Sequence, residues 1–223
     1  MSWETWNAVD EYTAGLLIGV DPVLQEALAH SAAAGLPEIA VTANQGKLLN
    51  LLARIHGARR ILEVGTLGGY STIWLARALP PDGQLVTLEL NPDFARVASE
   101  NVARAGLSER VQVRVGPAIE SLLALVADGE GPFDLIFIDA DKQSTPEYFE
   151  QALELSRPGG VILVDNVVLD GTLIDAVSED PRVAGMRRFL ELAAAEPRVT
   201  ATTIQTVGNK GYDGFTLAIV QDV

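Results

Sequence analysis

The 223-residue sequence has no cysteine and only two histidines, His30 and His56. Disulfides and thiolate chemistry are therefore excluded, and a conventional zinc site lacks its sulfur and imidazole ligands. Any resident metal would have to be held by oxygen. Positive charge is also scarce: 16 Lys and Arg stand against 30 Asp and Glu, a formal net charge of -14. Nucleic-acid binding needs a basic surface that neutralises phosphates, so no such partner is expected, and polyanionic substrates are disfavoured. Apolar runs are all interrupted by charge or glycine before the roughly 18 residues of a membrane span, so no membrane partner is expected. The segment Met1-Ser2-Trp3-Glu4 lacks the basic-then-apolar pattern of a secretory signal. The resulting expectation is a cytoplasmic location.

What is present is a hydrophobic fraction of 48% in a chain long enough for one large domain. The expected organisation is a single unit, 1–223, in which residues 1–58 form helices over the site and 59–223 form the core. Asp21-Pro22 has the N-cap and first-turn chemistry of a helix, and Thr42 caps another running to His56. Trp3 and Trp6, three apart, read as an aromatic stripe facing the core. The two histidines fall in predicted helices and read as structural or exposed. From Arg60 onward, apolar runs predict strands at 60–64, 85–90, 111–115, 133–138 and 161–164. Helical stretches at 71–79, 92–105, 118–127, 146–155 and 182–195 separate them. Such alternation predicts an α/β fold with a parallel sheet and helices on both faces. Two final runs, 199–206 and 215–220, have no helix between them and predict a hairpin whose last strand is antiparallel to its neighbours. The stretch Val207 to Gly214 between them reads as a wide turn or as a loop reaching the acceptor site.

Ligands collect at the carboxyl ends of strands in open parallel sheets. The first strand ends in Glu63-Val64-Gly65-Thr66-Leu67-Gly68-Gly69-Tyr70-Ser71, where glycines permit a tight turn and the next helix offers free amides. Glu89 ends the second strand, about twenty residues beyond the last glycine, where a carboxylate accepts ribose hydroxyls. The loop does not match G-x-G-x-x-G, and Glu63 would repel a pyrophosphate. A cationic, phosphate-free ligand such as S-adenosylmethionine fits better. Two later strands end in Asp139-Ala140-Asp141-Lys142 and Asp165-Asn166. Two carboxylates and an amide suit magnesium or manganese and leave about three octahedral positions for substrate and water. A bidentate diol coordinated there would be acidified, with Lys142 handling its proton. The competing reading makes Asp139 a helix cap, Asp165-Asn166 a turn and Lys142 a surface charge.

Taken in order, Val41-Thr42, Glu63-x-Gly65-Thr66-x-x-Gly69-Tyr70-Ser71, Glu89, Gly116-Pro117-Ala118, Asp139-Ala140-Asp141-Lys142 and Asp165-Asn166 resemble the cation-dependent class I O-methyltransferases. That is the family of catechol and caffeoyl-coenzyme A O-methyltransferases, and the resemblance is to its small bacterial members especially. It implies a Rossmann-like, seven-stranded, mostly parallel sheet with a C-terminal antiparallel hairpin. It places Val41, Glu63, Gly65, Thr66, Ser71, Glu89, Ala118 and Asp139 around S-adenosylmethionine, with Glu89 on the ribose and Ala118 on the adenine side. It gives Asp139, Asp165 and Asn166 to a divalent cation, magnesium before manganese or calcium, and makes Lys142 the general base. It also implies a small catechol-like or phenolic acceptor and a homodimer. Two departures concern the acceptor: Ser144-Thr145-Pro146 stands where many relatives have a tyrosine, with Tyr148 a helical turn later. The stretch from Val207 to Gly214 replaces the usual Leu-Pro-x-Gly-Asp-Gly. An NAD-type oxidoreductase on a related fold and a non-catalytic adenosyl-binding protein are the alternative readings.

Overall fold

A computed structural model describes residues 2–222. Its seven strands form one mixed sheet in the order β3-β2-β1-β4-β5-β7-β6, and the helices flank it. The chain divides into two compact units, residues 1–118 and 119–223. Among the described residues no helix is long and apolar enough to cross a membrane.

The first unit begins with three helices, α1 (Trp3–Leu17), α2 (Pro22–Ala33) and α3 (Ala43–His56). Asp21 caps α2 by accepting from the Leu24 amide at 3.2 Å, and Thr42 caps α3 by accepting from Gln45 at 3.1 Å. Each cap satisfies an orphan donor and is worth about 1 kcal/mol. Gly57 ends α3 in the left-handed conformation at φ 68°, which favours glycine. Strands β1 (Arg60–Val64), β2 (Gln84–Glu89) and β3 (Val111–Val115) pair in parallel, and α4 (Tyr70–Ala76) and α5 (Pro92–Arg104) connect them. Ile61, Leu62 and Val64 of β1 are fully buried, as expected for a strand covered on both faces. The tryptophan stripe is not core: Trp3 is 54% exposed, and α1 buries no residue.

The second unit holds most of α6 (Ala118–Ala127), then β4 (Phe133–Ile138), α7 (Thr145–Leu155), β5 (Ser156–Asp165), α8 (Pro181–Ala195), β6 (Val199–Gly208) and β7 (Gly211–Val220). Short 3-10 segments at Lys142–Ser144 and Leu169–Ile174 follow the ends of β4 and β5. Strands β4 and β5 are parallel, whereas β7 is antiparallel to both β5 and β6. The wide-turn expectation for Val207 to Gly214 does not hold. The ladder continues to Gly208 opposite Gly211, so the connection is a two-residue turn, Asn209-Lys210, at the tip of long strands.

Candidate functional site

In the first unit, Glu63 ends β1 with no exposed surface. Its carboxylate accepts from Ser71 Oγ at 2.6 Å, Thr72 Oγ1 at 2.5 Å and Thr87 Oγ1 at 2.8 Å. A buried carboxylate is tolerable when hydroxyls surround it in this way. Thr87 also meets Thr66 Oγ1 at 2.6 Å, tying β2 to the loop. The loop turns through left-handed residues Gly65 (φ 99°), Leu67 (φ 51°) and Gly69 (φ 80°). Glu89, 8% exposed, clamps the turn: its Oε2 accepts from the amides of Thr66 (3.3 Å) and Leu67 (2.7 Å), while Oε1 accepts from Asn91 (2.9 Å). Ser71, Glu63, Thr66 and Glu89 thus form one connected network. Val41 is buried just before the α3 cap, and Ala118 opens α6, half-buried.

Two further residues of this unit hold the loop and were not singled out from the sequence. Asn101 of α5 is 1% exposed and donates through Nδ2 to the Gly68 carbonyl at 2.9 Å and the Ala27 carbonyl at 3.2 Å. Ser31 of α2 approaches so closely that a Cβ on Gly68 would lie 2.1 Å from its Oγ. His30 joins the same network through Nδ1, 2.8 Å from Asn101 Oδ1, which gives it the structural role expected of it. Asn101 is one of several polar residues of α5 and gives no local sign of its partner.

The second unit collects the acidic strand ends. Asp139 follows β4 and pairs through Oδ1 with Lys142 Nζ at 2.7 Å. Lys142 is no solvated surface charge, since its side chain is only 13% exposed. Asp141 serves the local turn instead, accepting from Ser144 Oγ and Tyr148 OH, each at 2.5 Å. Burial first, then the hydrogen bond to Asp141, pushes the Tyr148 phenol above its ordinary value. Gly185 of α8 lies against this turn: a Cβ there would come within 2.4 Å of the Lys142 carbonyl oxygen.

At the end of β5, Asp165 is 5% exposed and accepts from the Asn166 amide at 2.9 Å. Asn166 is left-handed at φ 55°, a conformation that asparagine tolerates better than most residues. Its Nδ2 donates to Asp213 Oδ2 at 3.0 Å. The other oxygen of Asp213 accepts from the amides of Val168 (3.0 Å), Leu169 (3.1 Å) and Gly214 (2.9 Å). Asp213, like Asn101 and Ser31, was not singled out from the sequence. Its signal was the antiparallel hairpin itself, because a strand antiparallel to β5 brings the residues before Phe215 opposite those after Asp165.

Lys210, at the turn tip, is exposed as a residue. Partial loss of water pushes its amine below the ordinary lysine value, while Asp139 and Asp165 pull it up and Lys142 pushes it down. The ammonium is close enough to feel both acidic strand ends. Among the described residues, no three His, Cys, Asp or Glu side chains are grouped to hold a metal. An ion at Asp139 and Asp165 would therefore need the Asn166 carbonyl oxygen and ligands from outside the protein.

Comparison with known proteins bears on both halves. The sequence pattern of the O-methyltransferase family matches residues 19–220. A catechol O-methyltransferase of Niastella koreensis is 52% identical over 221 residues, 99% of this chain and 100% of that protein. The crystal structure of an O-methyltransferase from Bacillus cereus in complex with SAH superposes with a TM-score of 0.97 at 58% identity, covering 99% of this chain and 100% of that one. That of TomG from Streptomyces achromogenes, involved in tomaymycin synthesis and in complex with SAM, gives a TM-score of 0.96 at 54% identity over 100% of both chains.

Proposed function

Because the chain belongs to the O-methyltransferase family, we propose that it moves the methyl group of S-adenosylmethionine to a hydroxyl of a small catechol-like or other phenolic acceptor, with a divalent cation at the acceptor. Solved relatives that hold SAH and SAM, and a sequence relative named catechol O-methyltransferase, support this reading. The observation that carries it is the oxygen set of the second unit: Asp139, Asp165 and an Asn166 amide whose nitrogen is already engaged by Asp213. Hard oxygens of this kind suit magnesium first, then manganese or calcium.

The donor is assigned to Val41, Glu63, Gly65, Thr66, Ser71, Glu89 and Ala118, together with Asp139. Glu63 is fully buried, and its negative charge favours a sulfonium or ammonium over a phosphate. Three amides occupy Glu89, leaving about one of a carboxylate's four lone-pair sites for a ribose hydroxyl. When bound, S-adenosylmethionine supplies an electrophilic methyl and the cation acidifies the acceptor hydroxyl it coordinates. The chain's own residues do the rest. Lys142, freed from Asp139 and having lost its own proton to solvent, would take the hydroxyl proton as a neutral amine, while Asp139, Asp165 and Asn166 would hold the cation that fixes the acceptor. Most of the acceleration comes from holding nucleophile and methyl in line.

Calorimetry with S-adenosylmethionine and with NAD, followed by mass spectrometry of a phenolic acceptor panel, tests this function. Binding of S-adenosylmethionine alone, with methylated vicinal diols, is expected. Binding of NAD instead, or no methylation of any phenolic acceptor in the panel, would overturn it. A second copy of the chain is the proposed cover for Val9, Tyr12 and Leu16 of α1 and Ile55 of α3, which are 55%, 69%, 67% and 82% exposed. Light scattering that returned a monomer mass would rule out that dimer.

A further inference from the structure

Asparagine is an ambiguous metal ligand. Its amide presents an oxygen or, turned by half a revolution, two N–H donors that no cation accepts. At Asn166 the choice is made by a neighbour. Asp213 Oδ2 is 3.0 Å from the Asn166 amide nitrogen, and an ionised carboxylate only accepts, so the amide must direct its N–H there and its oxygen away. The other Asp213 oxygen gathers the backbone amides of Val168, Leu169 and Gly214. The ladder continues beside it, with the Val167 amide donating to the Gly214 carbonyl at 3.0 Å. Gly214 allows this approach: a Cβ there would lie 2.4 Å from the Ile204 carbonyl oxygen and 2.8 Å from Val168 Cγ2. One carboxylate thus fixes the backbone after β5 with one oxygen and orients the Asn166 side chain with the other.

We propose that Asp213 is a positioning residue for the cation site, holding Asn166 with its carbonyl oxygen available as a ligand. The proposal rests on the cation reading given above. It makes an unusual demand of Asp213→Asn. Three backbone N–H groups require an oxygen at the clamp, so the new side chain keeps its oxygen there and turns its NH2 toward Asn166. Asn166 must then offer its own oxygen to that NH2, leaving N–H groups for the cation. The fold is kept while the ligand is inverted. Adding Asn166→Asp should undo the damage, since a carboxylate accepts in both directions.

The test is manganese binding by the protein alone, followed by electron paramagnetic resonance of the free ion, with S-adenosylmethionine affinity and the melting temperature measured in parallel. Asp213→Asn is expected to weaken manganese binding by about 10- to 100-fold, the usual scale for a partner that orients a ligand. Its melting temperature and donor affinity should stay near wild type, and Asp213→Asn with Asn166→Asp should recover most of the loss. Wild-type manganese affinity in Asp213→Asn, or a loss that Asn166→Asp does not relieve, would overturn the proposal and leave the cation reading intact. A wild-type protein that binds no manganese would overturn both.

Discussion

Lys142 Nζ lies 2.7 Å from Asp139 Oδ1, so the proposed base and a proposed cation ligand are each other's partner in the protein without ligands. A cation that took Asp139 would remove the carboxylate that keeps the lysine occupied. The pair would thereby couple occupation of the proposed cation site to release of the proposed base. The side chains keep 13% and 25% of their exposure, so neither group is stranded when the pair opens.

Lys142→Arg should retain the charge pair with Asp139 but lose the base, because a guanidinium does not give up its proton near neutrality. The expected outcome is a fall in single-turnover methyl transfer of about 10²- to 10⁴-fold, the usual contribution of a positioned base. Donor affinity by calorimetry should be unchanged. An active Lys142→Arg would assign the proton to another group.

Glu63→Ala removes the common acceptor of Ser71, Thr72 and Thr87 inside the fold. Leaving buried donors unpaired costs about 1–3 kcal/mol for each group that finds no substitute. Urea unfolding should show a loss of about 3 kcal/mol, accompanied by weaker S-adenosylmethionine binding. Unchanged stability would mean that the hydroxyls are satisfied without the carboxylate.

Gly185→Ala tests whether α8 sets the position of Lys142. Its new Cβ would fall 2.4 Å from the Lys142 carbonyl oxygen and 2.6 Å from Gln143 Cα, both backbone, so the turn must move. Overpacking of this kind costs about 1–3 kcal/mol. Turnover should drop with little change in donor affinity; a variant as active as wild type would uncouple the helix from the base.

Tyr148 gives a pH dependence of defined sign. Its folded pKa is raised above the ordinary tyrosine value of about 10, so its contribution to stability is complete below pH 10 and is lost as pH rises toward the folded pKa. Tyr148→Phe should therefore narrow the stability difference between pH 9 and pH 11 in urea unfolding. An equally steep alkaline loss in the variant would place that titration elsewhere.

How much of this was readable in advance varies with the physical source of each feature. Strands β1 and β4 begin and end where the apolar runs do, because burial on both faces writes the strand into the sequence, and β3 keeps the bounds of its valine-rich run although none of its residues is buried. The early start of β5 at Ser156 was hidden, since Arg157-Pro158-Gly159-Gly160 carries no strand pattern and forms an irregularity between the Phe133–Ser156 and Leu135–Val161 pairs. Trp3 misled because an apolar stripe signals burial but does not say against what. Acidic strand ends were legible as candidates by residue type and position. Asp213 was not, because its partners lie 44 to 47 residues away and meet it only through the antiparallel pairing of β7 with β5.

The most direct test of the account is transfer of a labelled methyl group from S-adenosylmethionine to a vicinal dihydroxy phenol, measured with magnesium, with excess chelator, and after magnesium is restored. Transfer is expected to fall by about 100-fold or more in chelator, the scale of losing several kcal/mol of charge stabilisation, and to recover fully with magnesium. Transfer that continued undiminished in excess chelator would contradict the role given to Asp139, Asp165 and Asn166.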